Sequence, residues 1–401
     1  MDLKSGYPYW LIKNGLPYDY PKLIQHIKTD IAIIGGGITG ALCAHELVNN
    51  GIDCTVIDGR TIGLGSTCAS TSLLQYELDK PLYELSALIG RQQAERAYVL
   101  CGNAIDNLQE ISRIVGNEEF EQKTSLYYAA TKKDAALLSR EYQSRKAAGF
   151  KLEFLDTSEI ENHYGFSAAA ALLSQKGACV NAYLLAHKIH QYNIQKGCAV
   201  FDRTMICQIS YLPRGVKLVT AGGRIIVAKK IINASGYEIE HFIQKKIVTL
   251  HSTYAIASEN NPGTGAFWKD DSMIWNTADP YLYMRVTTDR RVIIGGRDEP
   301  FYNPVRRDKL LKKKTTQLTG DFHKLFPHLL MIPEFSWTGT FGITKDALPF
   351  IGTYKKYPHT YFALGFGGNG ITFSCLAAKL ICEQIKGIHN KDLKLFTFDR
   401  V

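Results

Sequence analysis

Apolar and polar positions follow two different periods along this chain. Residues 30–34, Asp-Ile-Ala-Ile-Ile, make a short β-branched apolar run, the pattern of a strand buried on both faces of a parallel sheet. Ala41, Leu42, Ala44, Leu47 and Val48 then recur at helical spacing, and Asn49-Asn50-Gly51 supplies residues that stop a helix. Cys54–Ile57 is a second apolar strand, ending at Asp58. The same strand–glycine–helix order returns near the C-terminus. Tyr361–Leu364 predicts a strand, glycines 365, 367, 368 and 370 a close-approach turn, and Ile371, Leu376, Ala377, Leu380 and Ile381 a helix face. Between these units, Leu85–Gln109 and Thr131–Ala148 predict helices, and 247–257 predicts a strand. Tyr281–Val286, a turn at Asp289-Arg290-Arg291 and Val292–Gly296 predict a hairpin, hence an antiparallel sheet. The expected fold class is α/β (α+β): a Rossmann-like unit joined to a mainly antiparallel sheet.

Each glycine of Gly35-Gly36-Gly37-Ile38-Thr39-Gly40 has a physical task in the G-x-G-x-x-G pattern. Gly35 permits the tight turn, Gly37 lets a pyrophosphate approach the backbone, and Gly40 lets the helix pack closely on the sheet. The helix start then offers free N–H groups and partial positive charge to a phosphate. Asp58, 18 residues after Gly40, stands where a carboxylate accepts ribose hydroxyls and disfavours a 2′-phosphate. A dinucleotide site follows, with FAD or NAD rather than NADP. The small, hydroxyl-rich loop Gly63–Ser72 after the second strand suits a long cofactor and favours FAD.

Composition narrows the picture without redirecting it. With 401 residues and 45% apolar positions, the chain is long enough for two or three domains and a large core. The net charge of +9 is spread along the sequence, so it argues for anionic ligands only weakly and does not mark a nucleic-acid surface. Nine cysteines form no CxxC and no zinc spacing, which predicts reduced core thiols and no metal. No apolar run approaches a transmembrane span, and the N-terminus does not read as a signal peptide. A cytoplasmic protein is expected.

Five ordered motifs together resemble the D-amino-acid oxidase-like family of FAD-dependent oxidoreductases, the group with glycine and sarcosine oxidases. They are the glycine-rich unit with its following loop, Gly177–Ala182, Lys230–Gly236, Trp337–Gly352 and Ala363–Ile371. The resemblance spans essentially the whole chain. It implies a cofactor domain of residues 1–85, 165–240 and 337–401, interleaved with a substrate domain of residues 86–164 and 241–336. It implies FAD contacts from Gly35, Gly37, Ile38, Thr39, Gly40, Asp58, Gly59, Arg60, Gly65, Ser66, Thr67, Ser70 and Thr71. Further contacts are expected from Ile206, Ala234, Ser235, Gly236, Gly342, Gly367, Gly368, Asn369, Gly370 and Ile371.

The expected chemistry is oxidation of a small amine or modified amino acid at its C–N bond, with an undetermined electron acceptor. The resemblance places a carboxylate-gripping arginine five residues before Asp346, where this chain has Phe341. Branches resembling γ-glutamylputrescine oxidoreductases share an apolar residue there. Candidate catalytic residues are therefore Arg285, Lys345, Asp346 and Tyr254, with Arg297, Tyr281, Tyr283 and His251 as further candidates. The position seven before Asp346, a covalent attachment point in some relatives, is Gly339, which implies noncovalent FAD. Oxidation of a hydroxy acid or polyol phosphate, and a non-catalytic flavin-bearing subunit, stay open as alternatives.

Overall fold

The computed structural model describes residues 1–400 except 242, 244–246 and 262–264. Its centre is an eight-stranded sheet whose parallel part is set by the apolar runs of the sequence. The strand Ile27–Ile34 pairs in parallel with Cys54–Ile57 on one side and with Ile225–Asn233 on the other. Ala199–Phe201 extends the sheet beyond Cys54–Ile57, and Thr360–Leu364 adds in parallel to the C-terminal half of Ile225–Asn233. All four residues of Cys54–Ile57 and all five of Thr360–Leu364 are buried, as strands covered on both faces must be.

Helices Ile38–Asn49, Ala182–Gln195 and Gly370–Ile385 follow strand ends, and the first and third pack on each other. Ala41, Leu42, Leu47, Leu185, Leu376, Ala377 and Leu380 share one core. The predicted helix at 85–109 is two helices, Leu82–Ile89 and Arg91–Ile114, because Gly90 turns the backbone to φ +91°.

A nine-stranded, mainly antiparallel sheet forms the second body. Its central order is Pro333–Ile343, Thr249–Ser258, Val292–Glu299, Tyr283–Val286 and Met273–Asn276. The predicted hairpin is present, with Tyr283 opposite Gly295 and Val286 opposite Val292. Helix Pro304–Leu325 covers one face, burying Leu318 and Phe322 against Tyr254, Ile256 and Ile294. The run Lys312-Lys313-Lys314 sits on this helix. Lys312 and Lys313 are exposed, but Lys314 is buried, its Nζ donating to Arg297 O at 2.7 Å and Glu299 Oε1 at 2.6 Å.

Chain segments interleave more finely than the expected boundaries. Ala94, Ala97, Cys101 and Leu108, within 86–164, lie in the core of the parallel sheet's helices. Ala171–Ser174, within 165–240, is a strand of the nine-stranded sheet. All nine cysteines are free thiols, and among the described residues none of the His, Cys, Asp and Glu side chains cluster to hold a metal. Among the described residues no helix is long and apolar enough to cross a membrane.

The turn from Ile34 into the helix leaves no room for side chains. A Cβ on Gly40 would stand 1.8 Å from Gly35 O, whereas a Cβ on Gly51 would meet nothing within 4 Å. Gly40→Ala is expected to cost at least about 3 kcal/mol through backbone displacement. Gly51→Ala, strained only by its φ of +68°, is expected to cost about 1 kcal/mol. Urea melts of both variants check this; equal losses would contradict it.

Candidate active site

One cavity of about 500 Å³ runs from the first glycine-rich turn to the inner face of the nine-stranded sheet. At its first end, Gly35 adopts φ +111° and its N–H donates to Ile57 O at 2.8 Å, which closes the turn between adjacent strand ends. Asp58 Oδ2 accepts from Gly36 N at 2.7 Å, and Oδ1 accepts from Arg60 N at 2.8 Å. Burial raises the Asp58 carboxyl above the usual range, and those two N–H donors oppose the rise. His190 supports the turn from behind. Burial lowers it to about 4, so its ring is neutral at pH 7, and Nε2 donates to Gly36 O at 3.0 Å.

Two helix starts open on the cavity. Gly37 caps the first without a side-chain bond, and neither Ile38–Asn49 nor Gly370–Ile385 has an acidic residue in its first turn. Their positive ends are therefore not neutralised by their own side chains. Thr39 Oγ1 and Ser374 Oγ, 2.7 Å apart, tie the two helices together. Asn369 lies outside the cavity lining. Its Nδ2 donates to Gln75 O and Glu77 O, which fastens the incoming chain to the second helix start. Gly40 and Gly342 also stand off the lining: Gly40 packs on Gly35, and Gly342 packs against the ring of Tyr237. The other expected cofactor positions, Gly59, Arg60, Gly65, Ser66, Thr67, Ser70, Thr71, Ile206, Ala234, Ser235, Gly236, Gly367, Gly368 and Ile371 among them, line it.

The hydroxyl-rich loop after the second strand is pinned from outside by long donors. Trp337 Nε1 donates to Ala69 O at 2.8 Å and Trp10 Nε1 to Ser70 O at 2.7 Å. Arg285 completes the set, donating to Ser72 O at 2.9 Å and Val180 O at 2.8 Å. Its guanidinium is buried, spends its donors on carbonyls and does not line the cavity.

The other candidate catalytic residues also stand elsewhere. Tyr254 points to the helix-covered face, its hydroxyl 3.4 Å from Arg307 O. The cavity-facing residue of that strand is its neighbour Thr253. Lys345 is exposed. Asp346 accepts from Arg400 at 2.8 and 3.1 Å and from Leu348 N, which closes the turn before Pro349. Arg297 pairs with Asp321, and His251, the strand partner opposite Phe341 with ring centroids 5.7 Å apart, is not part of the lining. Tyr281 and Tyr283 do line the cavity, together with Phe341.

Asp298, which the sequence reading missed, lies at this end. Ser252 pairs with Glu299 and Tyr254 with Gly296, so Thr253 faces two residues, Arg297 and Asp298. This is a β-bulge, and Arg297 carries its left-handed backbone at φ +58°. A regular strand would turn Arg297 to the cavity and Asp298 to the helix. The bulge reverses that phase. Arg297 and Glu299 reach Asp321 and Lys314 on helix Pro304–Leu325, and Asp298 lines the cavity. Its Oδ1 is buried without a hydrogen-bond partner. Burial is the main cause that raises the carboxyl to about 7, with the charges of Asp79 and Asp279 adding to it and Thr253 and Lys314 opposing. The double glycine Gly295-Gly296 inside a strand pattern is the sequence signal for such a bulge.

The sequence pattern of DAO, FAD dependent oxidoreductase, matches residues 30–384. The chain belongs to that family. It is 24% identical to γ-glutamylputrescine oxidoreductase of Escherichia coli over 92% of this chain and 86% of that protein. Among solved structures, L-proline dehydrogenase from P. horikoshii superimposes with a TM-score of 0.79 at 19% identity, covering 93% of this chain and 97% of that one. Glycine oxidase from Geobacillus kaustophilus gives 0.76 at 20% identity, covering 93% and 99%. These two likenesses establish the fold. The cavity fits the family's cofactor: two helix starts, a carboxylate at the second strand's end and a lining of glycines and hydroxyls suit a dinucleotide.

The raised Asp298 carboxyl sets a pH signature. The folded protein keeps this proton from about pH 4 to 7 while the unfolded chain loses it, so the group costs stability as pH rises through that window, and the cost is complete above 7. Asp298→Asn is expected to melt about 2–4 °C above the parent at pH 8, with a smaller gain at pH 5. Thermal melts at both values check it; a gain that does not grow with pH would contradict it.

Proposed function

We propose that this protein oxidises a small amine at its C–N bond with noncovalently held FAD. The observation that carries the reading is the sheet end of the cavity. Phe341 occupies the place where the family resemblance puts a carboxylate-gripping arginine, and it lines the cavity. Among the described lining residues Arg60 is the only arginine and there is no lysine; Arg60 sits beside Asp58, paired with Glu238 at 2.8 Å. An anionic hydroxy acid or polyol phosphate meets no lysine or arginine among the described lining residues of the sheet end.

Asp58, Gly37, Thr39 and the two helix starts would hold the dinucleotide, together with Ala234, Ser235, Gly367, Gly368, Gly370 and Ile371. Bound FAD would supply the acceptor for the hydride equivalent of the amine's C–H bond, so that the amine would leave as an imine that water hydrolyses. The chain's own work is orientation and exclusion of water. Tyr281 and Tyr283 wall the substrate end. Gly295 makes room for this wall, since a Cβ there would stand 2.4 Å from the Tyr283 hydroxyl. No cysteine or histidine occurs among the described lining residues, which supports noncovalent attachment. The γ-glutamylputrescine and L-proline enzymes of the comparisons are named for compounds that contain an amine, in agreement with this reading.

Anaerobic addition of primary and secondary amines to the purified yellow protein is expected to bleach the flavin's visible band, while hydroxy acids leave it unchanged. Bleaching by a hydroxy acid alone would contradict the reading. Acid precipitation is expected to leave the yellow colour in the supernatant; colour in the pellet would contradict noncovalent binding.

A further inference from the structure

We propose that Asp298 selects the substrate by seating the positive charge of an amine that carries no carboxylate beside its reacting carbon. The inference deepens the amine-oxidation reading and rests on it for the identity of the site.

The geometry is specific. Asp298 and Gly339 flank Thr253 in one row across three adjacent strands, and Phe341 lies two residues beyond Gly339 on the same face. A ligand against this face therefore meets a carboxylate and a benzyl ring, with the Tyr281 and Tyr283 rings beside them. Rings of this kind attract a cation over their faces. Asp298 Oδ1 has no partner, and a buried carboxylate without a counter-charge is costly. The surrounding charges do not supply one. Asp79 and Asp279 are like charges; Asp79 is already bound by Gly368 N at 2.9 Å and Tyr281 OH at 3.3 Å. Lys314 is turned to the other face, bonded to Arg297 O and Glu299. Arg297, the cation nearest in sequence, is carried away by the bulge and held by Asp321. Among the described residues the sheet thus keeps its cations out of the cavity lining and presents an acid without a counter-charge, which an ammonium group satisfies and a carboxylate group repels.

A matched pair of ligands that cannot be oxidised tests this on the holoprotein at pH 8. Neither tert-butylammonium nor pivalate has a hydrogen on the carbon bearing its charged group. Their dissociation constants are read from perturbation of the flavin spectrum. The parent is expected to bind tert-butylammonium at least tenfold more tightly than pivalate. Asp298→Asn is expected to weaken the cation roughly 10- to 100-fold and to leave pivalate unchanged or slightly tighter. Tighter pivalate binding by the parent, or unchanged cation binding by the variant, would overturn the proposal; the parent's preference decides it even if the variant does not fold. The two readings fail separately. A preference for the cation that depends on Asp298, with no amine bleaching the flavin, removes the catalytic reading and keeps the cation site. Bleaching by amines with no cation preference does the reverse.

Discussion

Gly40 rests on the carbonyl oxygen of Gly35 at a separation that admits no side chain, and most of the architecture depends on that contact. It sets how closely helix Ile38–Asn49 lies on the parallel sheet, and so where the helix start opens. Through Thr39 and Ser374 the same helix fixes the start of Gly370–Ile385. Two positive helix ends therefore converge on one cavity because of a backbone-on-backbone contact. The loop Gly63–Ser72 then closes the side, held by Trp10, Trp337 and Arg285.

The glycine-rich end of the cavity was legible in the sequence because its signals are local. Gly35, Gly37, Gly40 and Asp58 lie within 24 residues, and each position follows from what a turn, a helix start or a strand end requires. The substrate half was not, because its side chains are placed by long-range pairing. Arg285 looked like a free cation on a strand, yet its partners are the carbonyls of residues 72 and 180. Asp346 looked available, yet Arg400, 54 residues on, holds it. Tyr254 was a candidate beside Tyr281 and Tyr283, yet strand alternation alone does not say which face meets a cavity, and its neighbour Thr253 is the one that does. Asp298 was invisible because a single bulge residue reverses the phase of everything after it, and only the Gly295-Gly296 pair hints at the bulge.

The resulting division of labour is physical. The parallel sheet and its helices offer backbone N–H groups and a shielded acid to a dinucleotide. The antiparallel sheet offers one face with tyrosines, Phe341 and an unpaired carboxylate. That carboxylate has no counter-charge from its own strand because Arg297 is held by Asp321 on the opposite face, where Lys314 also pairs with Glu299. Selectivity is thus set by the register of one strand, and it can change without disturbing the cofactor's cradle.

The most direct measurement is X-ray diffraction from crystals of the yellow protein soaked in tert-butylammonium at pH 8. The account predicts the ammonium nitrogen about 3 Å from an Asp298 carboxylate oxygen, beside Tyr281 and Tyr283 and on the sheet side of the flavin. An Asp298 side chain turned out of the cavity, or the cation seated elsewhere with this carboxylate left unpaired, would contradict it.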